Sequence, residues 1–207
     1  MILCLAALAA CGPERPAATG CAERAFLQGA GGYGWGTLTR WRGGWLTAHH
    51  VIDGQRIVKG PDVSILHALP ATDLAFMEGA PVDAAPSGVA PLEGVVSLSG
   101  FPARATSPTT VRGEVHAPDT VPPGVWVRLD TDEPLVGGFS GGCVQDAEGR
   151  VVAVIMGAGS MRVDGEPRHF ARVVPLRAAL AEAQGHPVPP PPLGLARRAV
   201  PRLEPWR

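Results

Sequence analysis

A chain of 207 residues, 45% hydrophobic and 18% charged with a formal net charge of −1, has the balance of an ordinary globular protein. Near-neutral charge gives no electrostatic reason to expect nucleic acid as a partner. Cys and His residues lack CxxC or HExxH spacing, so neither a metal nor another cofactor is expected. Glycine (27) and proline (22) interrupt valine-rich segments throughout, which predicts many short strands joined by turns rather than a helix bundle.

The first eleven residues, "MILCLAALAAC", are apolar and too short to span a bilayer. They read as the hydrophobic part of an export signal, residues 1–10. Their ending, "LAAC", resembles the lipobox of bacterial lipoproteins, which implies lipidation at Cys11 and attachment to a membrane only through that anchor. A plain secretory signal is the alternative, since no Lys or Arg precedes the apolar run. Either way the protein is expected to be exported, to the periplasm or cell envelope. Residues 11–23 form a proline-punctuated tether. With Cys4 removed and Cys11 lipidated, Cys21 and Cys143 are left to pair in an oxidising compartment, or to remain as two small buried hydrophobes.

The strand candidates, in chain order, are "WGTLTRW", "GWLTA", "VSILHAL", "DLAFM", "GVVSLSGF", "TVRGEVHA", "GVWVRLD", "RVVAVIM" and "HFARVVPL". Their spacing suggests a barrel or sandwich. "LRAALAEAQG", rich in Ala, Leu and Glu and closed by glycine, predicts one helix over 176–185. Residues 186–207 are rich in Pro and Arg and read as an extended, flexible tail.

Three segments carry groups suited to nucleophilic catalysis. "GWLTAHHV" ends a strand in two histidines, "ATDLAFM" sets an aspartate before an apolar strand, and "GGFSGGC" surrounds Ser140 with glycines. A serine nucleophile needs an imidazole base, a carboxylate to orient that imidazole, and donors for the oxyanion.

"LTAHHV", "TDLAFM" and "GFSGGCV" resemble, in order, the segments around the catalytic His, Asp and Ser of trypsin-like serine proteases. "GYGWGTLTRWRGGWLTAHHV", "GFPA" and "GRVVAVIMG" agree with the bacterial Deg/HtrA-like branch. The resemblance spans about residues 26–180. It implies an all-β fold of two six-stranded antiparallel β-barrels, a chymotrypsin-like double barrel, with a short C-terminal helix. Residues 24–185 would form the peptidase domain, barrel one about 24–85 and barrel two about 92–176, and residues 186–207 are too few for a PDZ domain. The implied activity is a serine endopeptidase acting on a polypeptide substrate. His50 would be the base, with His49 the alternative register, Asp73 its orienting carboxylate and Ser140 the nucleophile. Backbone N–H groups of Gly138 and Ser140 would form the oxyanion hole. Pro134, Leu135, Met156, Gly157, Ala158 and Gly159 would line the substrate site, and Pro134, where trypsin-type enzymes carry an aspartate, argues for a small or aliphatic side chain.

Phe139 departs from the family's usual Asp or Asn and excludes an activation ion pair there. A catalytically inactive binding module is therefore a competing reading. "GFSGG" also fits the G-x-S-x-G elbow of α/β-hydrolase esterases, but a turn and strand come after this serine where that fold needs a helix. Oligomeric state has no signature in the sequence.

Overall fold

The computed structural model describes residues 20–103, 105–116, 125–163 and 165–185. Residues 1–19, with the expected signal and Cys11, and the segment from residue 186 read as a tail lie outside them. The expected double barrel is borne out: two six-stranded antiparallel sheets succeed one another along the chain, and a short helix ends the described part.

The first sheet contains β1 (Ala22–Gly29), β2 (Gly32–Trp41), β3 (Gly44–Ala48), β4 (Gln55–Lys59), β5 (Ile65–Leu69) and β6 (Leu74–Met77). Its spatial order is β4-β1-β2-β3-β6-β5, curling into a half-barrel with β4 and β5 at the edges. Between β3 and β4 lies one helical turn, α1 (His49–Ile52). The second sheet contains β7 (Val95–Gly100), β8 (Thr109–His116), β9 (Val125–Leu129), β10 (Cys143–Gln145), β11 (Val151–Val163) and β12 (Glu166–Pro175), closed in the order β10-β11-β12-β9-β8-β7. Helix α2 (Leu176–Ala183) begins where β12 stops.

Alternation produces the interior of each sheet. In β1, Ala25 and Leu27 are buried while their neighbours are only half-covered, as a pleat with one face inward requires. β6 instead reads "LAFM" and is buried at every position, because it lies between β3 and β5 with covering on both faces. The first core gathers Leu38, Leu46, Leu74, Phe76 and Met77 together with Val154 and Met156 of β11 and Leu176, Ala179 and Leu180 of α2. That core therefore crosses from one barrel to the other. A second core, with Val96, Leu98, Val127, Val144, Val152 and Ile155, fills the closed barrel.

β1, β4 and β10 are absent from the strands expected from the sequence. "QRIVK" of β4 is mostly exposed and edge-placed, β10 is three residues long, and "AERAFLQG" mixes charge with its apolar period. Pairing across the sheet makes these strands, and a weak local pattern gives little sign of it.

Candidate active site

α1 presents His50 at the end of β3, and a turn before β6 presents Asp73 beside it. His50 Nδ1 lies 2.8 Å from Asp73 Oδ2, and the His50 backbone N–H donates to Asp73 Oδ1 at 3.0 Å. Both carboxylate oxygens are thus held by one residue, and the ring contact makes Nδ1 the protonated nitrogen of a neutral imidazole. His50 Nε2 has no hydrogen-bond partner among the described residues. His49 donates its backbone N–H to the Asp73 carbonyl at 2.8 Å, so the carboxylate selects His50 from the pair.

Asp73 takes this pose from a left-handed backbone, φ 59°, a region that aspartate tolerates better than most residues. Glu182 of α2 steadies the turn by accepting the N–H groups of Ala71 and Thr72 at 3.1 and 3.0 Å. Burial raises the proton affinity of Asp73. The hydrogen bonds from the His50 ring and backbone, with the charges of His50 and Arg172, outweigh it and hold the carboxyl below its ordinary value.

Ser140 sits on the loop before β10. Its Oγ donates to the Met156 carbonyl at 3.2 Å, and no hydrogen bond joins it to His50 among the described residues. Gly138 has φ +105°, and a Cβ there would overlap the Phe101 carbonyl oxygen. Only glycine fits that position without displacement. The N–H groups of Gly138 and Ser140 meet no acceptor among the described residues, which leaves two donors free on the same turn.

Barrel one grips this turn through threonine hydroxyls that no sequence motif singles out. Thr37 Oγ1 donates to the Gly138 carbonyl at 2.7 Å and accepts the Phe101 N–H at 3.0 Å. Thr39 Oγ1 donates to the Gly141 carbonyl at 2.7 Å, and Thr47 Oγ1 donates to Thr37 O at 2.9 Å. The Thr37 N–H itself reaches the Ser140 carbonyl at 3.1 Å. All three threonines are fully buried. The signal in the sequence is "TLT" in β2, whose two hydroxyls share the face directed at the other barrel.

Phe139 is 4% exposed and belongs to the core of barrel two, against Gly100. Apolar packing thus holds the loop at Phe139. Cys143, the first residue of β10, is bonded to Cys21 beside β1, with a Cα–Cα distance of 6.1 Å. That bond ties the strand after Ser140 directly to barrel one.

The expected substrate-site residues separate into three groups. Pro134 is exposed, whereas Leu135 is buried in the second core and Met156 is buried in the first. Gly157, Ala158 and Gly159 pair with Arg172, Ala171 and Phe170 of β12 on one side. On the other side β10 pairs only with Val151–Val154, so no strand occupies that edge among the described residues. Behind it, His169 Nε2 donates to the Asp132 carbonyl at 2.9 Å, which leaves Nδ1 to accept the Ser160 hydroxyl at 2.7 Å. A cleft of about 460 Å³ between Asp130–Asp132 and Pro167–His169 contains none of His50, Asp73 and Ser140. Among the described residues no group of three or more His, Cys, Asp or Glu could hold a metal ion. No described helix is long and apolar enough to cross a membrane.

Comparison with known proteins places the fold. No protein-family model and no curated protein sequence matches the chain. Solved structures do: the HtrA-type protease AlgW carrying S227A with a bound tripeptide is 19% identical with a TM-score of 0.55, over 82% of this chain. The chain spans about 60% of the length of that protein. The Rv3671c protease of M. tuberculosis in its active form is 18% identical, with a TM-score of 0.52 over 81% of this chain and 82% of its own. Both are proteases, and at this identity the likeness shows a shared protease-like fold.

Proposed function

We propose that the chain is a serine endopeptidase that cleaves polypeptides through a Ser140–His50–Asp73 triad and an acyl-enzyme intermediate. The observation that carries this reading is the double hold of Asp73 on His50, at 2.8 and 3.0 Å, which leaves Nε2 without a partner among the described residues. Such an imidazole can act as a general base through Nε2 while the carboxylate stabilises the imidazolium.

In the reaction, the Ser140 hydroxyl turns from Met156 toward Nε2 and gives up its proton there as Oγ attacks the scissile carbonyl carbon. The N–H groups of Gly138 and Ser140 receive the oxyanion. The imidazolium then protonates the leaving amine as the C–N bond breaks. Water, deprotonated by His50, releases the acyl group by the reverse sequence. The free edge of Gly157–Gly159 would pair with the substrate backbone before the scissile bond, as an added strand. Chymotrypsin-like geometry and its HtrA-type fold neighbours support this assignment. The apolar leader and the "LAAC" ending, in turn, support a place in the cell envelope through lipid at Cys11, which mass spectrometry of the mature N-terminus would test.

Like the departure at Phe139, the bond from Ser140 Oγ to the Met156 carbonyl favours a catalytically silent binding module. A fluorophosphonate probe separates the two readings. Labelling of the full chain that disappears in Ser140→Ala and His50→Ala is the expected result. A chain that stays unlabelled from about pH 6 to 9, over which an ordinary histidine becomes neutral, would defeat the endopeptidase reading.

A further inference from the structure

We infer that Arg172 is a positioning residue for the His50–Asp73 pair, clamping the carboxylate from the second barrel while the imidazole holds it from the first. This role rests on the triad proposed for the chain.

Arg172 lies on β12, opposite Gly157 on one side and Trp126 on the other. Its Nη2 reaches Asp73 Oδ2 at 3.4 Å, the same oxygen that holds His50 Nδ1. The contact joins residues 99 positions apart on different barrels. The groups shown around this turn are His50 from α1, Arg172 from β12 and Glu182 from α2, with Glu182 engaged by backbone N–H groups of the two residues before Asp73. Arg172 is the fixed cation among them, since a guanidinium does not deprotonate in proteins.

Two effects arise from one charge. The guanidinium keeps Asp73 ionised and turned toward α1 when a bound substrate removes water from the site. It also opposes the imidazolium that forms when His50 takes the Ser140 proton, because like charges in a partly dry site repel. Loss of that charge in a variant should therefore move the acid limb of kcat/KM upward.

The test is the pH dependence of kcat/KM for the full chain, for Arg172→Gln and for Arg172→Lys, with active-site concentration set by fluorophosphonate titration. Arg172→Gln should move the acid limb upward by ~0.5 pH unit at low salt, less at high salt, and lower kcat several-fold. Arg172→Lys, which keeps the charge, should move it back toward wild type. The low-field proton resonance of His50 Nδ1–H should shift in Arg172→Gln, a readout that does not depend on turnover. If Arg172→Gln does not fold, Arg172→Met replaces it, removing the charge while keeping an aliphatic stem. Labelled, active variants with an unmoved limb and an unmoved resonance overturn the role of Arg172 and leave the triad standing. A wild-type chain that takes no label overturns both.

Discussion

At the scale of single residues, the Asp73 carboxylate is the part of the site whose partners are already assigned. Asp73 accepts three donors, two from His50 and one from Arg172, and its carboxyl is held below the ordinary value. A depressed native carboxyl contributes stability above its unfolded value, and that contribution is lost as pH falls through the folded value. Asp73→Asn should therefore be less stable than wild type at neutral pH, with the difference closing in acid. Urea midpoints measured between about pH 7 and pH 2 check this. The same substitution should lower kcat by about 10⁴-fold, because an amide supports the wrong imidazole tautomer. Gly138→Ala meets both an unfavourable φ and the Phe101 carbonyl, so it should misplace one oxyanion donor. A loss of about 10²- to 10³-fold in kcat with little change in KM is expected from steady-state kinetics.

At the scale of elements, two pieces of structure hold the parts of the proposed site in register. β2 lends Thr37 and Thr39 to the nucleophile turn, and α2 lends Glu182 to the Asp73 turn. Thr37→Val keeps the shape but leaves the Gly138 carbonyl and the Phe101 N–H without a partner in a buried place. It should cost about 1–3 kcal/mol by urea denaturation, and slow acylation as the oxyanion turn loosens. Little of this is legible in the sequence. A buried threonine in a strand looks like any other β-former, and its hydroxyl partner lies 101 positions further along the chain. "GGFSGG" and "TDLAFM" are legible because the chemistry they suit is written in a few adjacent residues.

At the scale of the whole molecule, His50 and Asp73 belong to one barrel and Ser140 to the other, so the site depends on how the barrels are joined. Several connections serve this, among them the apolar core shared through Val154, Met156 and α2, the threonine hydroxyls, the Arg172–Asp73 contact and the Cys21–Cys143 bond. That bond closes a loop of 122 residues. Replacing both cysteines with serine should lower stability by about 5 kcal/mol, seen as a lower urea midpoint, through the entropy returned to the unfolded chain. Because the bond sits at the start of β10, kcat should fall as well when activity is measured well below that midpoint.

Sequence alone determined the all-β class, the order of the three segments proposed to carry the triad and the residue types in them, since periodicity and short motifs are local properties of a chain. The register of "TAHH" favoured His50 with His49 as the alternative, and in the fold the carboxylate oxygens of Asp73 bond the backbone and ring of His50. Local pattern could not say what holds the loop at Phe139, which the second core answers by burying the ring. The place of Arg172 beside Asp73 and the grip of Thr37 on Gly138 were likewise decided only in three dimensions. Each depends on groups about a hundred residues apart meeting within hydrogen-bond range, and that is settled by how two barrels pack, not by any stretch of neighbouring residues.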